Sequence, residues 1–166
     1  MGFFNRFKKK SDVFNLTNLL ESNDQNKTIM TLDQRLQEAT NHGTKIDSLS
    51  DSQKTFLFVE NLEREVNNGG LHQFFWNSSG NYAHETVEAL KTIKANKTAD
   101  LLTKANATFP NEAVPKNRME RQETQLLYEK KIEPELEKLD QEFYKYPDNL
   151  SNLLIDYVKD HQKDFQ

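Results

Sequence analysis

The sequence EVNNGGLHQFFWNSSG, residues 65–80, contains the chain's only Gly-Gly pair, its only Trp and two adjacent Phe residues. Glycine adopts positive φ angles that other residues avoid, so we expect Gly69 or Gly70 to have φ > 0 and to end a helix with a left-handed cap. Three aromatic residues are then expected to enter the hydrophobic core within one helical turn: Phe74, Phe75 and Trp76. The stretch therefore predicts a sharp corner between two buried helices.

Five amide side chains lie in this stretch or directly after it: Asn67, Asn68, Gln73, Asn77 and Asn81. Amides close to a core need hydrogen-bond partners, and the free backbone groups at a helix end are suitable ones. One interpretation of the stretch is therefore a structural corner. A binding or catalytic site is the other interpretation, and the sequence leaves both open.

The pattern Glu-x-x-Asn-Gly-Gly-apolar-x-Gln-Phe-Phe, which begins at Glu65, resembles the signature of a small bacterial all-helical family. That family is largely of unknown function and is named for a DNA-mimic protein. The positions that carry the resemblance are Asn68, Gly69, Gly70, Leu71, Gln73, Phe74, Phe75, Asn77 and Gly80, followed by Glu88, Ala89, Leu90 and Ile93. Leu71 stands where the family usually has Phe, and His72 and Trp76 occupy variable positions.

The resemblance covers about residues 48–165. It implies an all-helical fold whose acidic surface occupies the basic groove of a DNA-binding protein. It also allows a homodimer.

The charge of the chain is unevenly distributed. The net charge is −4, but residues 1–10 contain four basic residues and no acidic one. Residues 11–166 therefore contain 18 basic and 26 acidic residues, a net charge of −8. This sign argues against a body that binds nucleic acid. It is also a modest charge for a DNA mimic, which needs dense carboxylates to match the phosphates.

The chain has no cysteine, which excludes disulfides, thiol catalysis and thiolate metal sites. No apolar run approaches the roughly 18 residues that a membrane span needs. The N-terminus lacks the apolar core of a signal peptide. We therefore expect a cytoplasmic protein.

Apolar residues recur at helical spacing along most of the chain, and no alternating strand pattern is present. Ser50 is expected to cap a helix that runs to the Gly-Gly pair. Because proline disrupts a helix interior, Pro134 predicts a new helix or a kink near Glu133. Further helices are predicted at residues 12–21, 31–40, 71–77, 82–94, 118–132 and 150–165, with one more capped by Asn96 or Thr98. We therefore predict an all-α fold, a compact single-domain bundle of mostly antiparallel helices.

Three parts of the chain are distinguished on this basis. Residues 1–11 are a basic, aromatic tail that we expect to be disordered. Residues 12–47 are a helical N-terminal extension, and residues 48–166 are the domain that resembles the family.

A small metal-dependent or acid-base hydrolase is the alternative function. It would be centred on Glu65, His72, His84 and Glu88, of which His84 and Glu88 are four residues apart on one helix face. Imidazole and carboxylate groups bind zinc, but the closely spaced pair of histidines in H-E-x-x-H is missing. No nucleophile–base pair, P-loop or nucleotide-binding glycine motif is present either. We therefore expect no cofactor and no metal, and a binding protein rather than an enzyme.

An acidic helical face is the main candidate for binding. Glu133, Glu137 and Asp140 share one face of a helix, and three further acids on the final helix extend it in our interpretation: Asp148, Asp156 and Asp160. Most charged faces are simply solvated, which is the other interpretation. We predict a regulatory protein that binds a protein partner, such as a basic DNA-binding regulator, through this face and does not bind nucleic acid itself.

Overall fold

The computed structural model describes residues 14–22 and 24–166, which form eight α-helices and four short 3-10 helices without a β-strand. This confirms the all-α prediction. The α-helices are α1 (Leu16–Glu21), α2 (Gln25–Ala39), α3 (Asp51–Trp76), α4 (Ala83–Thr92), α5 (Asn96–Asn106), α6 (Arg118–Leu127), α7 (Glu129–Phe143) and α8 (Leu150–Asp160). The 3-10 helices are Ile46–Ser48, Ser78–Tyr82, Pro110–Glu112 and Gln162–Phe165. The tail predicted at residues 1–11 lies outside the described residues.

Helix α3 is the centre of the fold, because α2, α4, α6, α7 and α8 all pack against it. It begins where the sequence predicted. The Ser50 hydroxyl accepts a hydrogen bond from the Gln53 N–H, and the Gln53 side chain accepts one from the Ser50 N–H, at 3.2 and 3.0 Å. Four consecutive residues in its first half are buried: Phe56, Leu57, Phe58 and Val59. A helix that is apolar on all sides is one that neighbours surround.

The Gly-Gly pair divides α3 into two helical segments that meet at a bend, because both glycines have non-helical backbone angles. Gly70 has φ 74° and ψ −177°, and helical structure resumes at once at Leu71. The predictions of a positive φ and of a helix end at the Gly-Gly pair are therefore confirmed, but the extended ψ of Gly70 differs from that of the predicted left-handed cap. The combination of a positive φ with an extended ψ is accessible essentially only to glycine. It turns the chain by a sharp angle and starts a new helical segment within two residues.

The new segment of α3 needs a cap, because its first N–H groups have no partner within the helix. The Leu71 N–H donates to the Asp140 carboxylate of α7 at 2.8 Å. A Cβ atom on Gly70 would clash with that same carboxylate. Gly70 is therefore required for its backbone angles, and its missing side chain leaves room for the Asp140 carboxylate.

Two of the three aromatic residues after the bend enter the core. Phe74 and Phe75 are fully buried, and Phe75 packs edge-to-face on Phe109 with 4.9 Å between ring centroids. Trp76 is only half-buried, so the prediction that it enters the core is wrong. Since each residue turns a helix by about 100°, Trp76 falls on the outer side of the segment once its two neighbours point inward.

Three other local predictions are corrected by the structure. Helix α2 begins at Gln25 rather than near Thr31, because the Asp24 side chain caps it by accepting from the Lys27 N–H at 3.0 Å. Helix α5 has no side-chain cap from Asn96 or Thr98. The Asp148 carboxylate caps it instead, accepting from the Thr98 N–H at 2.7 Å.

The third correction concerns Pro134, which lies inside α7 rather than at its start. The break between α6 and α7 falls at Tyr128, five residues before the predicted position of Glu133. Pro134 leaves the carbonyl of Lys130 without its usual partner. Both residues are exposed, so water can bind that carbonyl.

Among the described helices, none has the combination of length and apolar composition needed to cross a membrane. Helix α2, in the predicted N-terminal extension, packs on α8 and α3. An ion pair between Arg64 of α3 and Asp33 of α2, 2.7 Å long, forms part of this contact.

Glu60 lies on the same side of α3. Its Oε1 atom is buried and has no hydrogen-bond partner. Burial, reinforced by the nearby carboxylates of Glu63 and Asp33, raises the pKa of Glu60 to about 8. Glu60 is therefore largely protonated, and uncharged, near neutral pH.

Replacing Gly70 with Ala should destabilise the fold more than replacing Gly43 with Ala. Both glycines have positive φ, 74° and 85°, but a Cβ on Gly43 would meet nothing within 4 Å. We expect a loss of about 1 kcal/mol for Gly43→Ala and about 2 kcal/mol or more for Gly70→Ala, measured by urea denaturation. Replacing glycine with alanine also lowers the conformational entropy of the unfolded chain. This gain in stability is the same in both variants, so it cancels when their stabilities are compared. Equal losses would show that Asp140 does not crowd Gly70.

The stability of the protein should fall as the pH rises through the titration of Glu60. Its folded pKa lies above its ordinary value, so its stabilising contribution is complete below about pH 4.5 and is lost as the pH rises towards about 8. Glu60→Gln, which resembles the protonated acid, should lose less stability between about pH 5.5 and about pH 8.5 than the wild type does. Urea denaturation at both pH values measures this. An identical pH dependence in the two proteins would rule out Glu60 as its source.

Candidate functional site

An open groove lies between the bend of α3 and helix α7, and we call it the kink groove. It is lined by Gly69, Gly70, His72, Glu133, Pro134, Glu137, Lys138, Asp140, Gln141 and Tyr144. The structure thus brings the predicted glycine corner and the first three predicted acidic residues together at one surface. The groove has a volume of about 640 Å³ but is open to solvent. Enclosed sites bury most of a small ligand, so this shape suits side chains of a macromolecule better.

The acidic residues of α7 fall into two sets. Glu135 pairs with Lys138 and Glu142 pairs with Lys145, each at 2.6 Å. The other set is the acidic row, which we define as Glu133, Glu137 and Asp140. Among residues 14–22 and 24–166, no Lys or Arg forms an ion pair with any member of this row. The row therefore has no Lys or Arg partner of its own, and Lys138, which also lines the groove, is paired with Glu135.

Asp140 connects the acidic row to the fold. It accepts the Leu71 N–H and is half-buried. Burial raises the pKa of Asp140, and the charges of Glu133 and Glu137 raise it further, against the lowering effect of the Leu71 hydrogen bond. The charges of Glu133 and Glu137 therefore act on Asp140.

His72 lies at the other side of the groove. Its Nε2 atom is 3.9 Å from the Glu133 carboxylate, and its ring stacks on Trp76 with 5.7 Å between centroids. Its backbone carbonyl accepts a hydrogen bond from the Gln125 side chain of α6 at 3.3 Å. His72 thus links the groove to both Trp76 and α6.

The Glu65 carboxylate is hydrogen-bonded to polar side chains that follow it in the sequence. It accepts hydrogen bonds from Gln73, Asn77 and Ser79, at 2.7, 2.9 and 3.2 Å. These contacts tie the first segment of α3 to the second segment and to the following 3-10 helix. A carboxylate occupied by three local donors is a structural acceptor, which supports the structural interpretation of the corner.

Arg121 is the most important residue that sequence reasoning missed. It is fully buried, and its guanidinium donates to the carbonyls of Phe75, Asn77, Pro115 and Lys116 and to the Asn81 side chain. These contacts use all five of its N–H groups. Burial, together with the charge of Arg118, lowers the pKa of Arg121 to about 10, which still leaves it charged at neutral pH.

Gly80 makes room for this buried guanidinium. A Cβ atom on Gly80 would lie 2.7 Å from the Arg121 Nε and 2.9 Å from the backbone of Phe75. The loop after α3 can therefore close over Arg121 only with glycine here. No local pattern in the sequence distinguishes Arg121 from an exposed arginine, because its partners are backbone carbonyls of distant residues.

A family model described as DMP19-like protein matches residues 47–161 of this chain. The chain belongs to the DMP19-like protein family. The matched range contains every residue of the kink groove, Glu65 and Arg121, whereas α1 and α2 precede it. No curated protein and no solved structure matches the chain significantly.

The metal-ligand candidates do not come together in this DMP19-like chain. His84 and Glu88 are exposed on α4, and Glu88 pairs with Lys91 at 2.8 Å. His72 is in the kink groove, on a different helix. Within the described parts of the chain, no group of three His, Cys, Asp or Glu side chains is arranged to hold a metal ion.

The three acids predicted near the final helix have separate surroundings. Asp148 precedes α8 and caps α5 through both the N–H and the hydroxyl of Thr98, at 2.7 and 2.9 Å. Asp156 and Asp160 are exposed on α8, and Asp156 pairs with Lys159 at 3.3 Å. Since none of the three lines the kink groove, their part in binding stays a prediction.

Arg121→Met should destabilise the protein far more than Arg118→Met. Both arginines donate to the loop after α3, but Arg118 is exposed, and it reaches the Trp76 carbonyl at 3.1 Å. Removing the buried guanidinium leaves several buried carbonyls unpaired, so we expect a loss of about 3 kcal/mol or more, against less than about 1 kcal/mol for Arg118→Met. Urea denaturation of both variants measures the difference. Similar losses would mean that water replaces the Arg121 contacts.

Proposed function

We propose that this protein is a non-enzymatic binding protein whose kink groove receives basic side chains of a protein partner. The observation that carries the proposal is the acidic row on α7, three carboxylates beside an open groove that have no Lys or Arg partner among the described residues. The family to which the chain belongs is named for a DNA-mimic protein. A basic DNA-binding protein is therefore the partner class that we propose.

The charge density of the row supports binding that is weaker than that of a DNA replica. Glu133 and Asp140 are seven residues apart, which is about 10 Å along a helix. Double-stranded DNA presents about six charges over that length, twice as many as the row. A partner that binds DNA tightly is therefore expected to bind this surface less tightly, or to need further contacts outside the row.

The geometry favours this function over the hydrolase alternative. Glu65 is occupied by Gln73, Asn77 and Ser79 rather than oriented towards His72. His84 and Glu88 are exposed on α4, away from the residues that line the groove. No specific contact supports a catalytic pair, so we propose no second function.

Reversing the charge of the row should weaken capture of the partner. We expect Glu133→Lys with Glu137→Lys to reduce capture of a basic DNA-binding protein from a host-cell extract several-fold, because attraction becomes repulsion. Glu135→Lys with Glu142→Lys is the matched control, since it makes the same charge change on the same helix outside the row. Capture by the wild type should also fall between low and physiological salt, as screening shortens the Debye length to about 8 Å.

Competition with DNA distinguishes mimicry from other acidic contacts. Added double-stranded DNA should release the captured protein from the wild type, because both ligands occupy the same basic surface. Equal capture by the two double variants, or a captured protein that binds DNA and this chain simultaneously, would contradict the proposal.

A further inference from the structure

Helix α6 has its polarity reversed relative to an ordinary surface helix. Its inward residues are polar, with Arg121 0% and Gln125 3% exposed. Its outward residues are apolar, with Met119 71%, Leu126 63% and Leu127 77% exposed. Leucines on a surface helix normally face the core, so this arrangement requires a cause.

The inward side of α6 is polar because it faces backbone carbonyls that need hydrogen-bond donors. Arg121 donates to four carbonyls around the end of α3 and the loop before α6, and Gln125 donates to the carbonyl of His72. Rotating the helix to bury its leucines would leave these buried carbonyls unpaired. The hydrogen bonds of Arg121 and Gln125 therefore fix the orientation of α6, and this orientation keeps both leucines exposed to solvent.

The exposed apolar residues are concentrated at this helix. Across the described ranges, the large hydrophobic residues that are exposed are Met30, Met119, Leu126, Leu127, Tyr128, Tyr144 and Tyr146. Four of these seven lie within residues 119–128. Single exposed apolar residues are ordinary, but a group of them on one face marks an interaction surface.

The same face carries negative charge. At about 100° per residue, Glu123 lies between Met119 and Leu127, and Glu120 lies beside Leu127. Both glutamates are exposed, and neither forms an ion pair with a Lys or Arg in the part of the chain that the structure describes. We call these five residues the outer face of α6: Met119, Glu120, Glu123, Leu126 and Leu127.

The charge and the apolar residues of the outer face of α6 together favour one kind of binding partner. A second copy of the chain, paired through a two-fold axis on this face, would bring Glu123 against its own copy and repel it. An amphipathic helix with leucine-like residues on one side and Lys or Arg at its flanks satisfies both the apolar residues and the glutamates. The face therefore fits a basic amphipathic helix.

Helix α6, which carries this face, also reaches the kink groove through its inner side. Gln125 donates to the backbone carbonyl of His72, and His72 lines the groove. After Leu127 the chain continues through Tyr128 into α7, which carries the acidic row. We propose that the outer face of α6 is the apolar anchor for a basic amphipathic helix of the partner that occupies the kink groove, a proposal that rests on the proposed function.

The two surfaces then have different physical roles. The acidic row attracts the partner over a distance, so it governs the association rate and its dependence on salt. The outer face of α6 buries apolar area after contact, so it governs the dissociation rate, with little dependence on salt.

The test uses a synthetic helical peptide of about 18 residues, or five turns, with leucines at helical spacing and lysines elsewhere. Its association and dissociation rates with the full chain are measured at several salt concentrations. Leu126→Gln with Leu127→Gln should accelerate dissociation at least about tenfold, and leave the salt dependence of association unchanged. Met30→Gln, at a methionine of α2 that is 70% exposed, is the matched control and should change neither rate. Unchanged melting temperatures establish that the folds are intact.

Glu133→Gln with Glu137→Gln separates this proposal from the proposed function. One outcome is that the peptide associates more slowly with the glutamate variant but dissociates from the Leu126→Gln, Leu127→Gln variant at the wild-type rate. This result would overturn the role of α6 as an anchor and leave the proposed function standing. The opposite outcome is that the peptide dissociates faster from the variant with both leucines replaced but associates normally with the variant with both glutamates replaced. This result would support binding at the outer face of α6 and contradict the proposed role of the acidic row. A peptide in which glutamine replaces every leucine should dissociate from the wild type as fast as the original peptide does from the leucine variant. Sedimentation showing a wild-type dimer that the leucine variant cannot form would overturn the choice of a basic helix as the occupant.

Discussion

One hydrogen bond, from the Leu71 N–H to the Asp140 carboxylate, determines how the two parts of the candidate site meet. The bend at Gly70 starts a new helical segment whose first N–H groups need an acceptor. That acceptor comes from α7, 69 residues further along the chain, and not from a local cap. Because Gly70 has no side chain, α7 can approach closely enough to supply it. The approach that caps the bend also brings the acidic row to the groove.

A second constraint acts on the other side of α3. The chain leaves α3 through a tight loop whose carbonyls point into the interior, and Arg121 satisfies them without a carboxylate partner among the described residues. This need orients α6 with its polar residues inward and its leucines outward. The internal hydrogen bonds of the fold thus generate surface features on both neighbouring helices, a carboxylate row on α7 and an apolar face on α6.

The features that could be predicted from the sequence are local ones. The N-cap at Ser50, the helix that begins at Leu150 and a positive φ in the Gly-Gly pair depend on residues within a few positions of one another. Asp140 and Asp148 could not be recognised as helix caps, because the N–H groups that they accept are 69 and 50 residues away. Likewise, the buried role of Arg121 depends on carbonyls that only the folded chain brings together. The acidic row was identified from its spacing, but its position beside the bend was not.

The ionisation of Asp140 is the most direct test of the account, because this one group joins the bend of α3 to the acidic row. Its carboxyl carbon can be followed by ¹³C NMR during a pH titration of the wild type and of Glu133→Gln with Glu137→Gln. We expect a pKa of Asp140 above the ordinary value in the wild type, because of burial and both glutamates. In the double variant the pKa should fall but stay raised, since burial remains. An identical pKa of Asp140 in the two proteins would contradict the claim that the three carboxylates form one surface.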